Sequence, residues 1–569
     1  MRFFCEWMLA MAQKSRSIGR GRAYYSGPVP QQTLADSTPA GPMARPLPPR
    51  RRLSVSTAIF ALGTSVSRVA GLAREIIAAG FFGQRAAMSA FTIASQVPNL
   101  MSNLFAQAAL SAAFVPVFTE LLQQGRRREA FKLASTLFWI ILIALGALTA
   151  LGIVFAGAIM PLFTPGMHFT AADQALTAGL TQVLFPVVLL LGLTGLLVGI
   201  LQSYDEFTIP AIAPAVWNLV IVVLLVGLHG VFHMPIYAYA VGWLAATAVQ
   251  MAMVGSALKR IDFRLTFAVD WRDPRVRQVL TLMLPVTIGL GIVNLDQLLN
   301  SWFGFLVSSA APSAINQAFR IYMLPQGVFS VAVATVLFPT LSRQAARRAP
   351  AEMRQTIGNG MRQINLLMIP AAAVMMVLAT PIIRLVYQHG SFHVSDTHRA
   401  SVALFWFAFS LPFGGLNLLL TRTFFALKRP WIPTRYAAIN MVADVVVSVA
   451  LYKPLGIAGL VIGTAVANAV MTWLLLRRLT VGFNGHLEGA QTLNVTVRVV
   501  LCAAIMAVVA RVVWMGSDGL LGRAIVAQVV SVGVAIAVGG AVYATVILAM
   551  RVPEARQIQD LVLSRLRRG

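Results

Sequence analysis

"LASTLFWIILIALGALTALGIVFAGA", residues 133–158, runs for its whole length without a charged side chain. As a helix it would reach about 39 Å, more than the ~30 Å hydrocarbon layer of a bilayer. The stretch has company. The 569-residue chain is 58% hydrophobic and only 11% charged, with a mean hydropathy of +0.76, and apolar runs of similar length recur throughout it. A soluble core cannot hide that much apolar surface, and in lipid a run of this kind satisfies its backbone only as a helix. The chain therefore reads as an all-α polytopic membrane protein.

Windows of about 19 residues place fourteen spans. They fall near 55–82, 88–120, 133–158, 176–203, 209–230, 236–258, 278–307, 313–341, 360–386, 400–426, 433–452, 455–477, 493–514 and 524–549. The formal net charge of +26 raises the question of a nucleic-acid partner. The basic residues answer it by their position: they gather in alternate loops, at Arg126 to Arg128, Lys259 to Arg277, Arg343 to Arg354, Lys428 to Arg435, Arg477 and Arg478. That is the positive-inside pattern, so no nucleic-acid partner is expected and both termini are predicted cytoplasmic. Only Arg85, Arg399, Lys453 and Arg523 oppose the trend.

Residues 1–52, rich in Pro, Gly, Ser and Arg, are expected to be a disordered basic tail, and 551–569 a second basic tail. A start at Met43 would remove most of the first. The two cysteines, Cys5 and Cys502, make neither a disulfide framework nor a metal pair.

Within the oil, "SRVAGLAREI" (67–76) carries Arg68, Arg74 and Glu75. Intramembrane charges are costly and face a partner or a watery cavity. Arg68 and Glu75 are two turns apart on one face, with Ser65 and Gly71 on the same strip. A plainer alternative sets Arg74 and Glu75 as a pair at the outer membrane edge. The second span carries a neutral stripe of Ser95, Asn99, Ser102, Asn103 and Gln107, suited either to lining a cavity or to bonding neighbouring helices. In the eighth, Asn316, Gln317 and Arg320 share a face ahead of Pro325, which should bend the helix. Arg320 has no acidic neighbour in its own span, so Glu75 or an anionic ligand is its expected partner.

Oxygen-bearing side chains form i, i+4 ladders elsewhere: Asp296 with Asn300, Asn440 with Asp444 and Ser448, Thr464 with Asn468. These suit a hard monovalent cation or a proton relay, with helix bonding as the alternative. In the loop "QHGSFHVSDTH", His389, His393, Asp396 and His398 have a zinc-like spacing, but loop histidines near a membrane are usually solvated and no metal site is expected. There is no Walker A sequence and no nucleophile with a positioned base, so neither ATP hydrolysis nor another enzymatic activity is expected. A weak repeat, "PNLMSNLFAQAALSAAFVPVFTELLQQ" from Pro98 and "PQGVFSVAVATVLFPTLSRQ" from Pro325, points to two halves, spans 1–6 and 7–12, with two spans added.

"SRVAGLAREIIAAGFFG", "IASQVPNLMSNLFAQAALSAAFVPVFTE", "RIYMLPQGVFSVAVATVLFPTLSR" and "RLVYQHGSF" together resemble the MurJ (MviN) family of bacterial lipid II flippases. That family sits within the multidrug/oligosaccharidyl-lipid/polysaccharide (MOP) exporter superfamily. The resemblance covers about residues 54–480 and, more loosely, reaches 550. It implies a V-shaped fold of two pseudo-symmetric six-helix lobes, 53–260 and 275–480, with helices at 490–550 forming a groove for a polyprenyl tail. It also implies alternating access in the bacterial inner membrane, a lipid-linked peptidoglycan precursor as cargo, and no cofactor. By the same resemblance Arg68, Arg74 and Arg320 would hold the pyrophosphate, with Glu75 as counter-ion and Ser65, Asn99, Ser102, Asn103, Gln107, Asn316 and Gln317 lining the cavity. A sodium site would draw on Asn300, Asn440, Asp444 and Thr464, Asp296 standing in where the family often has Asp in place of Asn300; protons or the membrane potential are the other drives. The protein would act as a monomer, alone or beside the wall-synthesis machinery. The chain departs from the family where it has Ser89, Ser102, Asn103 and Gln107 in place of an acid, an Arg-Arg pair and Glu, so its cavity is less charged. Another polyprenyl-linked glycan, an amphiphilic drug, or a non-transporting scaffold for wall synthesis are the competing readings.

Overall fold

The computed structural model describes residues 66–556 apart from 68, 106–107, 165–169, 205, 207, 229–235, 268–269, 485–486 and 523. The proposed tail 1–52, residues 557–569 of the second tail, Ser65, Arg68 and Gln107 lie outside the described residues, and so do the side chains of Ser102 and Asn103. Residues 551–556 are described and pack against the helices that carry Arg362 and Val499 instead of hanging free. No strand occurs among the described residues.

The helices of the first half are α1 (69–82), α2 (Ala86–Phe105), α3 (Ala108–Gln123), α4 (Arg127–Phe163), α5 (Ala171–Leu184), α6 (Pro186–Ser203), α7 (Thr208–Leu228) and α8 (Ile236–Ala257). Those of the second are α9 (Pro274–Val307), α10 (Ala311–Pro325), α11 (Val331–Ala346), α12 (Pro350–Val377), α13 (Ala379–Tyr387), α14 (Val394–Ala426), α15 (Trp431–Leu455) and α16 (Ile457–Gly482). Two more follow, α17 (Gly489–Leu521) and α18 (Ile525–Ala549). Eleven of the described helical segments are long and apolar enough to cross a membrane. Helical backbone also occupies the described parts of three more expected spans, 69–82 of the first through α1, most of 88–120 through α2 and α3, and 278–307 through α9.

Several spans are not single rods. Phe185 ends α5 and Pro186 opens α6, a first-turn position at which a helix has no use for the N–H that proline lacks. Pro325 is followed by one π-helical turn, Gln326–Ser330, before α11 resumes, so the helix bends there without ending.

Apolar side chains are divided between lipid and core. On α4, Leu151, Val154, Phe155 and Leu162 are exposed, as a lipid-facing wall demands, while Leu133, Leu137, Ile141 and Leu145 turn inward. One core gathers residues from Ala78 to Leu258, and a second gathers residues from Phe303 to Phe483 together with Ala79 of α1. Helix α9 serves both, with Val276, Val279, Leu298 and Phe305 in the first and Phe303 in the second.

The pair α17–α18 docks on α12 and α13 through Val495, Val499 and Cys502 against Leu366, and Ala510 and Ala535 against Leu378. Ion pairs hold both ends: Arg362, almost wholly buried, meets Glu488 at 2.8 Å and also Glu554, and Arg384 meets Asp518. A buried arginine persists only when its donors are met, and Asn359 takes a further one.

Candidate functional site

The seam between the two cores carries the charges. Arg74 and Glu75 lie nine and eight residues before the Gly83 turn and Arg320 lies nine residues into α10, so each sits about 12 to 14 Å from the same end of the molecule. That distance is close to half the thickness of a ~30 Å hydrocarbon layer.

Glu75 is buried and uses one oxygen, Oε1, for both arginines: 2.5 Å from Arg74 Nη2 and 3.7 Å from Arg320 Nη2. The two arginines differ. Arg74 is 3% exposed, its guanidinium stacked over the rings of Trp217 at 5.0 Å and Trp243 at 4.8 Å. Two aromatic faces and a carboxylate replace the water it has lost. Arg320 has a side chain 42% exposed and reaches Glu75 from the other half. Of the two arginines expected to share the cavity, Arg74 is thus enclosed with Glu75, and Arg320 is the one left partly exposed. The strip through Gly71 faces α7, where Asn218 donates to the Ser67 and Pro214 carbonyls.

Above this cluster the halves close on each other. Gln84 donates to Gln317 Oε1 at 2.8 Å, and Arg399 donates to Gln84 Oε1 at 3.2 Å while pairing with Asp396. Ser89 meets Ser313 at 3.3 Å, and Gln96 donates to Ser301 at 2.7 Å. The QHGSF loop seats on the end of α1: Ser391 donates its backbone N–H to the Gly80 carbonyl at 2.8 Å. The approach is close enough to exclude side chains. Gly83 and Gly390 both have φ near +60°, and a Cβ on them would lie 2.4 Å from the Ser391 oxygen and 2.3 Å from the Gly80 oxygen. Gln317 thus belongs to the seal, whereas Asn316 and Asn99 are only half-buried near it. Asp396 also accepts from the His393 N–H, and His389 Nε2 lies 2.9 Å from the Leu385 carbonyl, so these loop groups serve local caps.

A second polar cluster lies between α9, α15 and α16. Asn300 donates to Asp444 Oδ2 at 2.9 Å, Thr464 donates to the same oxygen at 3.2 Å, and Ser448 donates to Oδ1 at 3.2 Å. Asp296 faces the same gap, which has no room for a water molecule. Two buried atoms there, Asp296 Oδ1 and Asn440 Nδ2, have no hydrogen-bond partner among the described residues. Two carboxyls so close in a low dielectric call for a shared proton or a cation between them, and hard oxygen donors fit either. Asn468 does not join the cluster; it accepts from Asn417 on α14, a helix-to-helix bond.

Reading the residues alone missed Trp217, Trp243, Gln84 and Arg399 as site components. Signals existed. Both tryptophans stand mid-span, away from the interface belts where Trp concentrates, and Arg399 is one of four exceptions to the loop charge rule.

Apolar helices in number and a buried polar seam between two helical cores describe a multi-pass membrane protein, and its fold is that of known MOP transporters. Solved structures share that fold: one described as the lipid II flippase MurJ in an inward closed conformation superposes with a TM-score of 0.73 at 22% identity, over 89% of this chain and all of that one. An inward-facing multidrug resistance MATE family transporter of the MOP superfamily gives 0.58 at 15% identity, over 76% of this chain and 97% of that one. The family model described as lipid II flippase MurJ matches residues 78–530, and the chain belongs to the MurJ family. Among relatives, the probable lipid II flippase MurJ of Rhizobium meliloti is 30% identical over 78% of this chain and 83% of its own length. The lipid II flippase MurJ of Burkholderia cenocepacia is 28% identical over 73% and 82%. That of Vibrio cholerae, again named probable, is 27% identical over 78% and 85%.

Proposed function

We propose that this protein flips lipid II, the undecaprenyl-pyrophosphate-linked peptidoglycan precursor, from the inner to the outer leaflet of the bacterial cytoplasmic membrane. It moves its cargo by alternating access between lobes at 53–260 and 275–480, with fourteen spans and both termini in the cytoplasm. The observation that carries this reading is Arg320, half-exposed and held from across the seam by Glu75, which Arg74 already neutralises. A guanidinium fork of this kind suits phosphate oxygens, and little needs to be broken to offer it to them. The closed end at Gln84, Gln317 and Arg399 is then the periplasmic gate, which parts to release cargo. The helices α17–α18 supply the surface for the polyprenyl chain, and the protein works as a monomer.

Asp296, Asn300, Asn440, Asp444 and Thr464 would hold a sodium ion or a proton, coupling the cycle to an ion gradient; the membrane potential is the other drive. Ser89, uncharged and paired with Ser313 in the closed end, favours a second cargo, another polyprenyl-linked anionic glycan, because it adds no charge to recognise the peptide. Reconstitution with fluorescent lipid II, read by leaflet accessibility under imposed potential and sodium gradients, tests both. Flipping that disappears in Arg320→Ala supports the first reading. Equal flipping by wild type and Arg320→Ala defeats it, and flipping of only a non-peptidoglycan glycan lipid selects the second.

A further inference from the structure

The segment joining α8 to α9 puts apolar and cationic side chains where neither the cores nor the polar seam use them. After the short turn Leu258–Ile261 it climbs the start of α4: Arg127 donates to the Ile261 carbonyl at 2.6 Å, Thr266 N–H donates to Ser135 Oγ at 3.0 Å, and Trp139 Nε1 donates to the Thr266 carbonyl at 3.0 Å. It then descends, with Asp270 N–H donating to Thr136 and the Asp270 carboxylate pairing with Lys132 at 2.8 Å. Arg275, at the start of α9, closes the path on Glu129 at 2.6 Å.

Helix α4 supplies the ruler. Trp139 lies twelve residues, about 18 Å, along it from Arg127, and past Lys132 the helix carries no further charge to its end at Phe163. Trp139 therefore stands where the charged helix start gives way to the apolar run, the level of an interfacial aromatic belt. At that level Phe267 stacks on Trp139 with centroids 5.1 Å apart and is still 85% exposed. Leu265 and Trp271 are exposed beside it, and so are Arg264 and Arg272. Of the segment's acids, Asp270 is engaged by Lys132 and Asp273 caps α9, while Asp262 is exposed at the segment's start, so the free charge flanking Phe267 is that of Arg264 and Arg272.

We infer that residues 262–267 and 270–273 form a bilayer-interface anchor, with Leu265, Phe267 and Trp271 seated at the acyl boundary and Arg264 and Arg272 holding anionic phospholipid headgroups. The occupant follows from the pattern: exposed aromatic and aliphatic groups flanked by guanidinium groups match a lipid surface whose phosphates lie just outside its hydrocarbon. The anchor pins the one covalent link between the halves at the membrane plane.

The full chain in nanodiscs tests this, with Cys5 and Cys502 replaced by alanine and a single fluorophore placed through Phe267→Cys or, as control, Arg348→Cys in an exposed turn at the same end. Doxyl-labelled lipid should quench the probe at 267 several-fold more than the one at 348, and more strongly with phosphatidylglycerol present than in phosphatidylcholine alone. Arg264→Gln with Arg272→Gln should lower the apparent affinity for phosphatidylglycerol by roughly fivefold per arginine removed. Equal quenching at 267 and 348 overturns the anchor. Quenching at 267 that ignores both phosphatidylglycerol and the two arginines overturns the headgroup assignment.

Discussion

The two polar clusters of this protein solve the same problem in opposite ways. The Arg74–Glu75–Arg320 cluster spans the seam, carries a net positive charge and leaves Arg320 partly open to solvent. The Asp296–Asn300–Asp444–Thr464 cluster sits between α9, α15 and α16, is rich in carboxyl oxygen and has closed on itself. Burying charge is expensive, so each cluster keeps what it needs for its ligand and neutralises the rest. In the first, Glu75 and two tryptophan faces neutralise one arginine and leave the other available. In the second, an amide and two hydroxyls occupy the donor positions that a cation or proton would compensate.

The largest expected effect tests the asymmetry of the first cluster. Glu75→Ala leaves Arg74 buried without its carboxylate and should cost ~3–5 kcal/mol of stability, read as a lowered denaturation midpoint in detergent, as well as abolishing flipping. Arg320→Ala, on the exposed side, should change stability by less than about 1 kcal/mol while still abolishing flipping. Similar stability losses in the two variants would erase the distinction between a buried and an offered arginine.

Gly83→Ala comes next, at ~1–3 kcal/mol, because its left-handed backbone and the Ser391 carbonyl leave no room for a methyl group. The loss should fall on the closed end, so a cysteine placed by Ser313→Cys should react faster with an impermeant thiol reagent added from outside. Unchanged labelling would mean that the QHGSF contact is not part of the gate.

For the second cluster the sign reverses. Asp444→Asn removes one of two facing carboxyls and should leave stability unchanged or raise it by up to about 1 kcal/mol, read from the thermal midpoint, while abolishing any sodium or proton dependence of flipping. A large fall in midpoint would show that Asp444 is a structural hydrogen-bond hub instead.

The smallest effect belongs to the surface. The Asp270 carboxyl is held below the usual carboxylate range, first by its hydrogen bond from Lys132. With the folded value depressed, its small contribution is present above the ordinary Asp range and lost as pH falls through the lowered value. Asp270→Asn should leave the midpoint at neutral pH nearly unchanged, with any difference fading as salt is added.

Much of this was legible in the residues and part of it was not. All fourteen predicted spans coincide at least in part with helix, because in lipid a span must close its own backbone bonds and hydropathy is a local property. Residues in spans that carry charge, Arg74, Glu75 and Arg320, flagged themselves by cost alone. Their roles did not, since a helical face shows which residues share a side and never what lies opposite. Arg362 and Arg384, also within a predicted span, pair with α17–α18 and its flanks and have no place in the cavity.

By itself the sequence determined the class of the protein, the run of its helices and the identity of its intramembrane charges, because hydrophobic length and charge cost are read one segment at a time. Only the tertiary structure decided that Arg74 is walled in by Trp217 and Trp243, that Arg320 faces solvent, and that Gln84 and Gln317, 233 residues apart, close one end of the seam. Those outcomes depend on which helices meet. Side-chain pairing across a packed interface is set by three-dimensional complementarity, for which local periodicity carries no signal.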